Sequence, residues 1–136
     1  MTAFSNIPPQ AVLPLGSYDL AELRRAVERA GQRVMEADCS AGQDAQGVCS
    51  AIADGFVLAK PFGTDLKALL AGLLELSPGD ADPPGFVIML HHIPEGAGFS
   101  RQDRDALLDV FRDAADHFFD AGVAFRVFYS INRESP

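Results

Sequence analysis

Residues 86–93, FVIMLHHI, run for eight positions without the apolar–polar alternation of a half-buried strand. They are bracketed by SPGDADPPG at 77–85 and PEGAGFS at 94–100, turn-forming segments that cannot continue regular structure. The run is therefore too short for a helix and is expected to be a strand buried on both faces. Such strands belong to parallel sheets covered by helices, whereas antiparallel strands with one wet face alternate. An α/β fold is the expectation that follows.

The remaining segments suit that frame. Asp19 and Glu22 have the spacing of a capping box, and Leu20, Leu23, Ala26, Val27 and Ala30 form an apolar stripe that stops at Gly31. RVMEAD at 33–38 alternates, with Val34 and Glu36 on one face and Met35 and Ala37 on the other. Ser40 and Asp44 are candidate caps for a helix carrying Val48, Cys49, Ile52 and Ala53 up to Gly55. Ser100 and Asp103 open a further helix, with Leu107, Val110, Phe111, Ala114 and Phe118 on one side and Asp105, Asp109, Asp113 and Asp116 towards the other. VAFRVFYSI at 123–131 closes the chain as a β-branched and aromatic strand. Strands separated by helical material return in parallel, so a three-stranded parallel sheet packed with helices is expected. Residues 1–16, with Pro8, Pro9 and Pro14 and no periodicity, are expected to form an extended or partly disordered arm ahead of a single domain at 17–136.

KPFGTDLKALLAGLLEL at 60–76 holds the most suggestive surface. Pro61, Phe62 and Gly63 halt the chain before Thr64, after which Leu66, Leu69, Leu70, Leu73 and Leu74 recur at helical spacing. The opposite face carries Lys67, Ala71 and Glu75 one turn apart, with Ala68 and Gly72 beside them. That face is smooth and nearly uncharged for a solvated helix, and is the expected contact surface.

The order RVMEAD, Phe62-Gly63, Asp65-Leu66, Ala68-Leu69, FVIMLHHI, LLDVFRDAADHFFDAG and VAFRVFYSI resembles the barstar-like intracellular inhibitors of ribonucleases over roughly residues 33–131. The resemblance implies a barstar-like α/β fold and inhibition by protein–protein occlusion of a nuclease active site, with Phe62, Gly63, Thr64, Asp65, Lys67, Ala68, Ala71 and Glu75 at the contact. It also implies a protein partner, a basic ribonuclease in the family's own case. The family's marked segment, F-G-x-N-x-D-A-L, is met here by Phe62, Gly63, Thr64, Asp65, Leu66, Lys67, Ala68 and Leu69. Its Asn is Asp65, its first acidic contact is Lys67, and its second, one turn on, is Ala71. Asp65, Glu75, Asp80 and Asp82 are the acids that could supply charge nearby. The alternative is an interaction protein of the same fold that no longer inhibits a nuclease and binds another protein, or a second copy of itself, through Ala68, Ala71 and Gly72.

Other chemistry is poorly served. A formal net charge of −8 with only eleven Lys and Arg suits a protein partner better than nucleic acid. No run approaches a membrane span, no basic, apolar leader opens the chain, and Cys39 and Cys49 make no disulfide framework; a cytoplasmic protein with reduced thiols is expected. His91 and His92 stand near Glu95, but adjacent strand residues point to opposite faces and would not share a metal ion. Gly96-Ala97-Gly98 lacks both the third glycine of a dinucleotide loop and the Lys of a P-loop. Ser40, Ser50 and Ser130 have no nucleophile-elbow setting. Neither an enzyme nor a cofactor is expected.

Overall fold

A computed structural model describes residues 10–17, 19–40, 42–79, 84–96 and 98–132. Their elements run β1 (Gln10–Pro14), α1 (Leu20–Ala30), β2 (Arg33–Asp38), α2 (Ala45–Gly55), α3 (Leu66–Leu74), β3 (Gly85–Pro94), α4 (Arg101–Asp120) and β4 (Ala124–Asn132), with short 3-10 turns at Leu15–Ser17 and Lys60–Gly63. All strand pairs are parallel, in the order β1-β4-β3-β2. The α/β class and the parallel sheet are as expected, but the sheet has four strands and not three. The additional strand comes from the proline-bearing arm. Gln10–Pro14 pairs in register from Gln10 opposite Phe125 to Pro14 opposite Tyr129. Proline tolerates this place because β1 is a short edge strand that bonds to one neighbour.

The strand order dictates where the helices go. The connection from β1 to β2 crosses the sheet in one direction, while those from β2 to β3 and from β3 to β4 step back in the other. Right-handed crossovers running in opposite directions lie on opposite faces. Accordingly, α2, α3 and α4 cover one face, where Ile52, Leu69, Leu73, Leu107 and Phe111 meet Phe86, Ile88, Leu90, Phe125 and Val127. On the other face, Leu15 with Leu23 and Val27 of α1 covers Val87, Met89 and Phe128. Residues 85–90 of β3 are buried without exception, which accounts for the missing alternation.

Local signals set the helix ends. Asp19 Oδ1 accepts from the amides of Ala21 and Glu22, and Gly31 closes α1 at φ 67°, a left-handed conformation that glycine adopts without strain. Of the two candidate caps for α2, Asp44 serves, through Gly47 N at 2.7 Å. Ser40 instead donates its amide to Asp38. At α4 the capping box is complete: Ser100 Oγ accepts from Asp103 N at 3.1 Å and Asp103 Oδ2 from Ser100 N at 2.9 Å.

Docking of α1 also uses charge. Arg24 Nη2 lies 2.8 Å from Glu36 Oε1 and Nη1 3.3 Å from Oε2, a two-pronged pair between α1 and β2. His91 Nε2 shares Glu36 Oε1 at 2.9 Å. Arg24 holds the Glu36 carboxyl below its ordinary value of 4.5, against the upward push of partial burial and with further help from His91. Below the sheet, Gln32 crosses Gly85, where a Cβ would lie 2.7 Å from the Gln32 amide, and accepts from Arg126 Nη1 at 3.4 Å.

Three outcomes test this arrangement. Leu23→Ala, at a 1% exposed position, should cost roughly 2–5 kcal/mol by urea denaturation; a near-neutral result would mean that α1 does not belong to the cooperative core. Because the folded-state pKa of Glu36 is depressed, its contribution is present above the ordinary glutamate value and is lost as pH falls through the folded one. Glu36→Gln should therefore flatten the acid limb of the stability curve, by less than about 1 kcal/mol for so accessible a pair. Cys39 and Cys49 are buried, with thiols pushed up to about 12 and about 11 chiefly by that burial. Iodoacetamide should label them only under unfolding conditions.

Candidate contact face on the third helix

The turn before α3 is held by close packing. Pro61 stands in the first positions of the 3-10 turn, and Thr64 Oγ1 donates back to Pro61 O at 2.9 Å. At Gly63 a Cβ would lie 3.0 Å from Ala53 Cβ and 3.1 Å from Ser50 Cα, so glycine lets the turn rest directly on α2. Asp65 then caps α3 through Ala68 N at 2.7 Å. Its carboxylate is close enough to α2 to raise the Cys49 thiol further.

This construction sorts the contact residues read from the sequence. Thr64, Asp65, Lys67, Ala71 and Glu75 are exposed, and Lys67, Ala71 and Glu75 follow one another at intervals of four along one helix face. Phe62 and Ala68 are half-buried and Gly63 is buried, so these shape the surface from beneath. Gly72 is not part of a smooth outer face. It is buried, and a Cβ there would lie 2.8 Å from Phe62 Cγ and 2.9 Å from Phe62 Cβ. The glycine is a seat for the Phe62 ring, which the helical period alone does not reveal. Asp80 and Asp82 lie outside the described residues.

A groove of about 350 Å³ borders the same face, lined by Gln46, Ser50, Ala53 and Asp54 of α2 with Gly63 and Thr64. Gln46, Ser50 and Asp54 recur every fourth residue, a polar stripe that the sequence displays but that gains a neighbour only when α2 packs on the turn. Just beyond α2, Val57 is 89% exposed at φ 57°. A β-branched residue in the left-handed region is strained, and an exposed one gains nothing from burial in return.

The histidine pair departs from the alternation expected of a strand. The β3–β4 register shifts between Leu90 and Ile93, and His92 adopts φ 59° while its amide donates to Ser130 Oγ at 2.9 Å. His91, following Val87 and Met89 in ordinary alternation, meets Glu36, and beyond it His92 Nδ1 stands 3.5 Å from Asp38 Oδ1. Positions 36 and 38 are alternate residues of β2, so both imidazoles reach carboxylates on the same side of the sheet. A bulge here breaks the strict period of two expected of the strand. Among the described residues, no group of three His, Cys, Asp or Glu is placed so that it could hold a metal ion.

The loop at 94–100 borders a second hollow, of about 290 Å³, with Ser40, Gln43, Glu95 and Phe99 in its lining. The N-terminus of α4 beside it is closed by its own capping box and offers little to an anion. Ala97 lies outside the described residues. His117 is exposed on α4 and meets the Phe118 ring edge-on at 5.2 Å between centroids. No helix among the described residues is long and apolar enough to cross a membrane.

No curated protein matches the sequence. The family model described as Barstar (barnase inhibitor) matches residues 32–130, the stretch from just before β2 to near the end of strand β4, and leaves β1 and α1 outside the match. A match across most of the chain, on a parallel α/β sheet with α3 in the expected place, shows that this protein belongs to the barstar family.

Proposed function

We propose that this chain is a barstar-type ribonuclease inhibitor that acts in the cytoplasm by occluding its partner's active site and performs no reaction itself. The observation that carries the reading is the exposed row of Thr64, Asp65, Lys67, Ala71 and Glu75, presented by a helix whose entry is fixed by Phe62, Gly63 and the Asp65 cap. A preorganised helix on a packed scaffold loses little freedom on binding, which favours affinity. The polar groove beside it and Val57 extend the surface towards α2.

Lys67 and Ala71 determine which nuclease such a surface would fit. A cation facing an Arg- or Lys-lined cleft costs several kcal/mol, so tight binding to a nuclease with a uniformly basic site is disfavoured. The target suited to this face offers Lys67 an acidic or polar group and places its cations opposite Asp54, Asp65 or Glu75. The same two residues favour a second reading, in which the scaffold persists and the partner is a different protein. Burial of Gly72 weighs against self-association through a small-residue stripe, because the face narrows to Ala68 and Ala71.

Inhibition assays against barnase and a panel of small microbial ribonucleases separate these readings. We expect weak or no inhibition of barnase and inhibition of a nuclease with a less basic cleft; absence of both inhibition and complex across the panel at micromolar protein would reject the inhibitor reading. Lys67→Asp combined with Ala71→Asp should raise affinity for barnase by at least 100-fold, about 2.8 kcal/mol at 1.4 kcal/mol per decade. No gain from a variant that melts like the wild type would show that α3 is not the contact.

A further inference from the structure

We propose that two copies of this chain pair edge to edge through β1, joining their sheets in an antiparallel two-fold seam flanked by the C-terminal half of α4. The strand that makes the seam lies outside the stretch matched by the family. α4 packs over β1 and β4 while α2 packs over β2, so a dimer formed at β1 leaves the α3 face open and does not depend on nuclease inhibition.

The two edges of the sheet are built differently. Among the described residues, β1 and β2 each bond to one neighbouring strand, so each turns a row of backbone amides and carbonyls outward. Charge guards the β2 edge, where Arg33, Glu36 and Asp38 are three of six residues. In β1, QAVLP, no residue is charged, and only the final Pro14 discourages pairing. A strand edge without charge is a template for another strand.

What lies beside this edge selects a second copy as the partner. A hollow of about 320 Å³ runs between β1 and α4, lined by Gln10, Ala11, Val12, Arg112, Ala115 and Asp116. Arg112, Ala115, Asp116 and Phe119 recur at helical spacing along one stripe of α4, and Phe119 is 47% exposed. A net charge of −8 opposes self-association over most of the molecule, but on this stripe one cation and one anion stand one turn apart and balance. A two-fold axis perpendicular to the sheet at β1 sets the two α4 helices antiparallel on the same side of the joined sheet. Arg112 of each copy then faces Asp116 of the other, and the pair is made twice. The stripe is thus its own complement. Arg112 can turn towards the seam at little cost, because its Nη1 contact with Asp109 at 2.7 Å is an exposed pairing within one helix.

The test is sedimentation equilibrium and amide hydrogen exchange on the full chain, wild type and charge-reversed. The wild type should be a dimer at roughly 100 µM and dissociate on dilution, with slower exchange at Ala11, Val12 and Leu13 in the dimer than in the monomer. Arg112→Asp brings like charges together across the seam, as does Asp116→Arg, and each should weaken dimerisation by about 10-fold or more while melting like the wild type at low concentration. An equimolar mixture of these two variants should form a heterodimer, since each then meets its opposite charge. Both reversals in one chain should restore the homodimer. A wild type that stays monomeric at roughly 100 µM, whether the edge is left open or taken by a foreign strand, would overturn the proposal. So would a dimer that neither single reversal weakens, because its interface would lie elsewhere.

Discussion

Burial of β3 on both faces is the constraint on which the rest of the molecule depends. Phe86, Ile88 and Leu90 need apolar cover on one side, and Val87 and Met89 need it on the other. The segment matched by the barstar family supplies the first layer from α2, α3 and α4. The second layer comes from residues ahead of that match: Leu15, Leu23 and Val27 close it, and β1 lengthens the sheet at the β4 edge. Residues 10–15 and the first helix are therefore structural parts of this fold, while residues 1–9 of the arm lie outside the described residues.

Placing α1 on the second face has a local electrostatic consequence. Arg24 reaches across to Glu36, Glu36 holds His91, and the bulge beyond His91 sets His92 against Asp38. A chain of charged and titratable groups thus runs along the carboxyl ends of β2 and β3. The proposed contact face on α3 lies across the sheet and is ordered by other means, namely a glycine against α2, a ring seated on Gly72 and an aspartate cap. One parallel sheet keeps two chemically different surfaces apart.

Where the sequence was informative, the reason was local periodicity. The capped starts at Asp19 and Ser100, the stop at Gly31, the leucine face of α3 and the separation of Met35 and Ala37 from Val34 and Glu36 all depend on contacts within a few residues, and each took the predicted form. The errors share a cause as well. Val12 and Leu13 do not announce a strand until β4 offers a partner, the Gly72 position looks bare until Phe62 folds back over it, and His91 and His92 alternate on paper until a one-residue slip between β3 and β4 puts them side by side.

By itself the sequence determined the types of the elements from α1 to β4, the parallel α/β class, the family pattern and the unusual pair Lys67 and Ala71, since composition and spacing carry all of these. Only the tertiary structure decided the fourth strand, the face to which α1 goes, the groove between α2 and the turn at 60–63, and the cluster of two histidines and two carboxylates. Each of these depends on pairing between segments far apart in the chain, whose geometry is set by strand order and register and leaves no short-range trace.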